Sequence, residues 1–237
     1  MIDQIMKTMP PIITAMAGDA KILQTPSGWL HMKYFVTVPV IFGAFAVMAG
    51  AGMLATDEER GRLDLLMAHP TDRWKVFYGR LAALFTATAI ILFINWLGLI
   101  AALPFSSLGV TPAAAALPFI SLFGLVILFQ SFALLLSFFL GSRILAAGAA
   151  GVVLIADFFI DALIIINPSI EQVAKWLPYH YYQGGLAADG FAFGPFAVLI
   201  AATAIMIGLA CWRFQNHDIR VMGEGSINWP WKTRKSS

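Results

Sequence analysis

Apolar residues crowd into five stretches, at about 34–55, 77–103, 114–140, 145–166 and 195–212, with polar segments between them. Each stretch is long enough to cross about 30 Å of hydrocarbon as a helix. The pattern predicts an all-α fold, a polytopic membrane helical bundle of about five transmembrane spans. The polar segments alternate in charge. Segments 56–76, 141–144 and 213–237, with the adjoining Arg80, carry eleven of the fifteen Lys and Arg residues. Segments 1–33, 104–113 and 167–194 carry only Lys7, Lys21, Lys33 and Lys175. Basic residues collect on the cytoplasmic side of membranes, so the N-terminus is expected outside and the C-terminus in the cytoplasm. Trp29 and Tyr34 mark the outer interface on this reading, and Trp74, Tyr78 and Trp212 the inner one.

Composition agrees. Hydrophobic residues make up 59% of the chain and charged ones 12%, against about 25% charged in soluble domains. A net charge of +2 gives no reason to expect nucleic acid as a partner. The lone Cys211 excludes an internal disulfide framework. His31, His69, His180 and His217 show no metal-ligand spacing, and there is no G-x-S-x-G elbow. No long polar linker or repeat divides the chain, so residues 1–237 are expected to form one domain. The first 33 residues lack a clean apolar leader, yet the topology requires their export.

The densest charge lies in 56–76, between two of the most apolar stretches. On a helix, Leu63, Leu66 and Met67 share one stripe. Glu58 pairs with Arg62, and Arg60 with Asp64, at i,i+4 on its flanks. Glu59 falls within the apolar stripe. His69-Pro70 ends the helix, and Thr71 caps a second one running through Trp74 into the next span. A solvated loop that merely enforces topology is the plainer alternative.

The run from Glu58 through Arg73, with its acidic pair, Gly61, leucines, Pro70, Thr71 and Arg73, resembles the signature of type-2 ABC transporter permeases. Met9-Pro10-Pro11 and Pro26-Ser27-Gly28-Trp29 are similar to the outer loop after that family's first span. Trp176 to Tyr182 is similar to the outer segment before its last. The resemblance implies that 56–76 docks on a separate ABC ATPase through Glu58, Glu59, Gly61, Leu63, Leu66, Met67, Pro70 and Arg73. It also implies a second permease copy, in a homodimer or heterodimer, and a prokaryotic inner membrane. Family members usually have six spans, so the resemblance implies an upstream span missing from these 237 residues. The chain has no G-x-x-x-x-G-K-[ST] loop. No cofactor is therefore expected on it, and ATP and Mg are expected on the partner.

Four polar residues interrupt the spans. Asp157 and Asp161 share one face of the fourth, about 13 Å and 7 Å below its outer edge. A carboxylate at mid-bilayer costs roughly 2.5–3.5 kcal/mol on insertion scales, so both should face protein or water. They line a substrate path, relay protons, or join helices by hydrogen bonds to Asn95 or Gln130. Asn95 and Gln130 suit interhelical hydrogen bonds, with a place on the path as the alternative. Gly148 and Gly151, among alanines, suit close helix packing. Outside, Ser169-Ile170-Glu171-Gln172 is a capping-box pattern. Ile170, Val173, Ala174 and Leu177 then make a short interfacial helix, followed by Tyr179–Tyr182 as an anchor or an exit gate. Trp229 and Trp231 with Lys232, Arg234 and Lys235 favour an anionic membrane face.

The expected function is the membrane-spanning subunit of an ATP-driven exporter, not itself an enzyme. Two other classes stay open: an ion-coupled secondary transporter using Asp157 and Asp161, and a non-transporting membrane assembly subunit. No pair of Gly- or Pro-broken helices marks the second class in the sequence.

Overall fold

The third predicted span is the axis of the bundle. In the computed structural model, which describes residues 25–59, 73–106, 109–164 and 167–216, no strand occurs among those residues. The helices are α1 (Pro26–Leu30), α2 (Val38–Glu59), α3 (Arg73–Ala102), α4 (Pro112–Leu140), α5 (Arg143–Leu163), α6 (Glu171–Ala174) and α7 (Phe193–Asn216). Of the most apolar part of α4, 78% is buried, against 11% for α3, 22% for α5 and 17% for α7. Helices α3, α5 and α7 therefore turn most of their own surface outward around α4. A bilayer permits this, because lipid is as apolar as a protein core.

Local chemistry sets the limits of α4. The Thr111 hydroxyl accepts from the Ala114 N–H at 3.3 Å, and Pro112 takes the first helical position, where no N–H is needed. At the far end Gly141 turns left-handed at φ 61°, a conformation that glycine adopts without steric cost. Ser142 then caps α5 by accepting from Leu145 N–H. A two-residue link thus folds α5 back beside α4.

Helices approach closely where glycine removes a side chain. A Cβ at Gly50 of α2 would lie 2.1 Å from the Gln130 carbonyl oxygen of α4, so the two backbones touch there. Gly43 faces Leu154 of α5, and Gly124 of α4 faces Phe196 of α7. Gly148 and Gly151 do not serve the packing expected of them, since a Cβ on either would meet nothing within 4 Å. Ala146, Ala150, Leu154 and Asp157 form the buried face of α5 instead.

The first span is broken rather than continuous from residue 34. Helix α1 runs into a π turn, His31–Phe35, and the section Pro26–Phe35 meets the following helix at 41°. Pro39 accounts for part of the break: it has no N–H for the Phe35 carbonyl four residues earlier. Instead of a fifth clean rod, the sequence builds a bent one. Its first arm includes Pro26 to Lys33, which the apolar pattern had left outside the span.

Candidate functional site

At one end of the bundle the segment Pro178–Asp189 lies over α1, α4 and α5 as a cap. It consists of two short 3-10 turns, Pro178–Tyr181 and Gly184–Ala188. Asp157 is held beneath it, 1% exposed, and one of its carboxyl oxygens (Oδ2) accepts from the Tyr179 backbone N–H at 3.0 Å. The other oxygen and the Tyr179 hydroxyl have no protein partner. The expected bonds from Asp157 to Asn95 or Gln130 are replaced by this bond to backbone. Its donor lies 22 residues downstream. The Tyr179 ring packs edge-on to Phe158 and Tyr182. Burial, then the nearby carboxyls of Asp161 and Asp157, push the Tyr179 hydroxyl well above the usual tyrosine range.

Asp161 lies one turn further along α5. His180 Nδ1 is 3.8 Å from its Oδ1, beyond hydrogen-bond length, and attracts it when the imidazole is protonated. The pair of carboxyls therefore has a basic neighbour from the cap.

Asn95 and Gln130 belong to other groups. Asn95 of α3 accepts from the Tyr34 hydroxyl. Gln130, fully buried in α4, donates from Nε2 to the Thr88 hydroxyl of α3 at 2.7 Å. The Thr88 hydroxyl in turn donates to the Leu84 carbonyl. Asp157, Asn95 and Gln130 thus fall into three separate hydrogen-bonded groups, and Asp161 lies beside the first of them. Tyr34 and Thr88 are partners that sequence reading missed. Tyr34 looked like an interface marker, and a threonine in a span gives no warning because its hydroxyl bonds within its own helix.

A groove of about 380 Å³ opens between α3 and α4. Ala89, Leu92, Phe93 and Trp96 line one wall, and Ala116, Phe119, Ile120 and Phe123 the other. None of the four predicted path residues lines it. Such a surface suits hydrocarbon and offers little to a polar solute.

The short helix before the cap is α6. Its capping box is not formed: the Asn167 side chain accepts from Ser169 N–H, the donor a Gln172 side chain would take, and caps the turn Pro168–Ile170. Glu171 pairs instead with Lys175 at 2.9 Å. That bond holds the Glu171 carboxyl below its ordinary range. Ala174 is buried and Val173 is exposed, so the apolar stripe is narrower than the spacing suggested. Tyr179 is buried among helices, and Tyr181 donates to the Lys175 carbonyl. The aromatic run is thus packed into the fold at these two residues, not spread on a lipid surface.

The charged segment falls largely outside the described residues. Gly61, Leu63, Leu66, Met67 and Pro70 lie there, and of Glu58, Glu59 and Arg73 only the helical backbone is described. Helix α2 continues past the predicted edge of its span to Glu59, and α3 begins at Arg73. Between these helices Arg80 donates to the Met53 carbonyl at 3.1 Å.

A bundle of four apolar membrane-length helices plus a bent fifth defines a multi-pass membrane protein. The chain belongs to the ABC-2 family transporter proteins, whose profile matches residues 11–219. It is thus a membrane component of a transporter, in a family that normally works with an ATPase partner. No curated protein and no solved structure matches it.

Proposed function

We propose that this chain is the permease subunit of an ATP-driven exporter in a prokaryotic inner membrane, two permease copies acting with two copies of a separate ATPase. The family match supports the class. The observation that carries the coupling is the pair of helices bracketing 60–72. Helix α2 runs four residues past the expected span edge, and α3 starts before its own. Two stiff rods therefore meet the charged segment directly, and Arg80 ties them together. A push on that segment shifts both rods as bodies, as packed helices transmit force by sliding and rotating rather than by bending. Glu58, Glu59, Gly61, Leu63, Leu66, Met67, Pro70 and Arg73 form the docking surface on this reading. ATP and Mg sit on the partner.

Asp157 is assigned to tethering the cap, and Asn95 and Gln130 to joining helices. The apolar groove between α3 and α4 favours an apolar or amphipathic cargo over an ion. Purification of the permease in mild detergent tests the reading. A stoichiometric soluble ATPase whose hydrolysis is stimulated by the permease is the expected result. Flux driven by a proton gradient without such a partner would replace it with the ion-coupled class.

A further inference from the structure

Three bonds from the cap hold the first arm of the bent span along its length, and only next to the bend is it also held elsewhere, by the Tyr34 hydroxyl on Asn95 and the Phe35 ring on Phe119. The Phe35 carbonyl, which Pro39 leaves without its helical donor, accepts from the Tyr182 hydroxyl at 3.3 Å. One turn earlier, His31 Nδ1 accepts from the Gly185 N–H at 3.0 Å. At the far end of the arm Ser27 donates to the Asp189 carboxylate. These contacts run along the whole length of Pro26–Phe35. They need the two glycines of the cap. A Cβ at Gly185 would stand 2.6 Å from the His31 backbone nitrogen, and one at Gly184 would stand 2.2 Å from the imidazole. Gly184 also has φ +54°, which other residues rarely adopt. The cap is itself fastened to the axis and to α5, through Gln183 N–H on Ser121 and Tyr179 N–H on Asp157.

The bend has the makings of a pivot. The π turn, the absent N–H of Pro39 and the helix break at Val36-Thr37 fall within a few residues, and interruptions of this kind are where helices kink. Beyond the bend α2 continues as one helix to Glu59. From these features we infer that the bend of the first span is a hinge and that the cap is the clamp that holds it in one position. The clamp acts through Tyr182, Gly185 and Asp189. Releasing it leaves Tyr34 on Asn95 and Phe35 on Phe119, both beside the pivot, and frees the rest of the arm, Pro26 to Lys33, to swing while α2 keeps its packing on α4. On the exporter reading above, the same hinge links the far end of α2, where the ATPase acts, to opening at the capped end.

Spin labels test the hinge without any partner or nucleotide. With Cys211→Ser as background, Trp29→Cys on the arm is paired with Val152→Cys on α5, and separately with Ile205→Cys on α7. All three sites are exposed. Trp29 lies seven residues from Val36, so swinging the arm through 41° moves its label by about 7 Å at 1.5 Å rise per residue. The otherwise unaltered protein is expected to show one narrow distance distribution for each pair. Tyr182→Phe, which removes one hydroxyl, should broaden or shift both by several ångströms, and Gly185→Val should do so more strongly. A disulfide between Ser27→Cys and Asp189→Cys, added to Tyr182→Phe, should restore the narrow distribution. Unchanged distributions in Tyr182→Phe and in folded Gly185→Val overturn the clamp. If Gly185→Val does not fold, Tyr182→Phe decides alone. Because no ATPase enters the measurement, failure here is separate from failure to find one.

Discussion

Replacing Asp157 by leucine removes the acceptor for a buried backbone N–H and puts nothing in its place. Asp157 is 1% exposed and its oxygen lies 3.0 Å from the Tyr179 nitrogen, so water does not freely take over. Leaving a buried donor unsatisfied costs about 1–3 kcal/mol, which corresponds to roughly a 5- to 150-fold rise in the lifted population of the cap. Asparagine keeps one carbonyl oxygen on the same frame. Its amide turns toward the position of the second carboxyl oxygen, which has no protein partner. The cost of Asp157→Asn is therefore held to about 1 kcal/mol or less. Amide hydrogen exchange reads this directly, because local opening exposes the N–H concerned. In Asp157→Leu the peptide containing Tyr179 should exchange about 5- to 150-fold faster, while peptides from the middle of α4 hold their rate. Asp157→Asn should stay close to the parent in exchange and in transport. Equal acceleration in both variants would show that charge, not the acceptor, holds the cap. Impaired transport in Asp157→Asn with unchanged exchange would return Asp157 to the substrate path.

The glycines give a paired prediction: Gly50→Val should destabilise the protein by about 1–3 kcal/mol through overpacking against the Gln130 carbonyl, whereas Gly148→Ala, facing open space, should gain up to about 1 kcal/mol from helix propensity. Thermal unfolding in detergent measures both, and a harmless Gly50→Val would deny the close approach of α2 to α4. Glu59→Lys and Leu66→Asp should each release the ATPase while insertion stays normal, as judged by co-purification. Stoichiometric ATPase retained by both would remove the docking assignment. Cysteines placed at Lys175 and Arg73 in a Cys211→Ser background should react with an impermeant reagent from opposite sides of the membrane, and reaction of both from one side would overturn the five-span topology.

The spans were legible because length and hydropathy alone decide whether a helix can cross a bilayer. Which faces pack was not. In water the buried face announces itself by contrast, but in lipid both faces are apolar, and α4 looked like any other span. The only available signs were its polar residues Ser121, Gln130, Ser131 and Ser137, all buried. Gly148 and Gly151 drew attention because they stand in a small-residue run, yet the helix turns them outward. Gly50 stands in a similar run, Ala49-Gly50-Ala51-Gly52, and there the helix turns it inward against a neighbouring backbone. The capped end was the least legible part. A carboxyl within a span stands out in the sequence, but the partner of Asp157 is a backbone N–H, a group every non-proline residue has. No sequence spacing marks Tyr179 as the donor. The bend was half visible: Pro39 lies at the start of the apolar run, but what accommodates its missing bond is Tyr182, far along the chain.

The bond between Gln130 and Thr88 bears on how the chain is made. Spans leave the ribosome in order, and α4 arrives before α5 and α7, two of the helices that wrap it. During that interval its polar side chains would face lipid. Ser131 and Ser137 are protected from the start, since each hydroxyl bonds to a carbonyl of its own helix. Gln130 is too long for that, and its partner sits on α3, the span synthesised immediately before it. The α3–α4 hairpin can therefore shelter the glutamine's amide nitrogen as soon as it forms, before the later helices close around the axis.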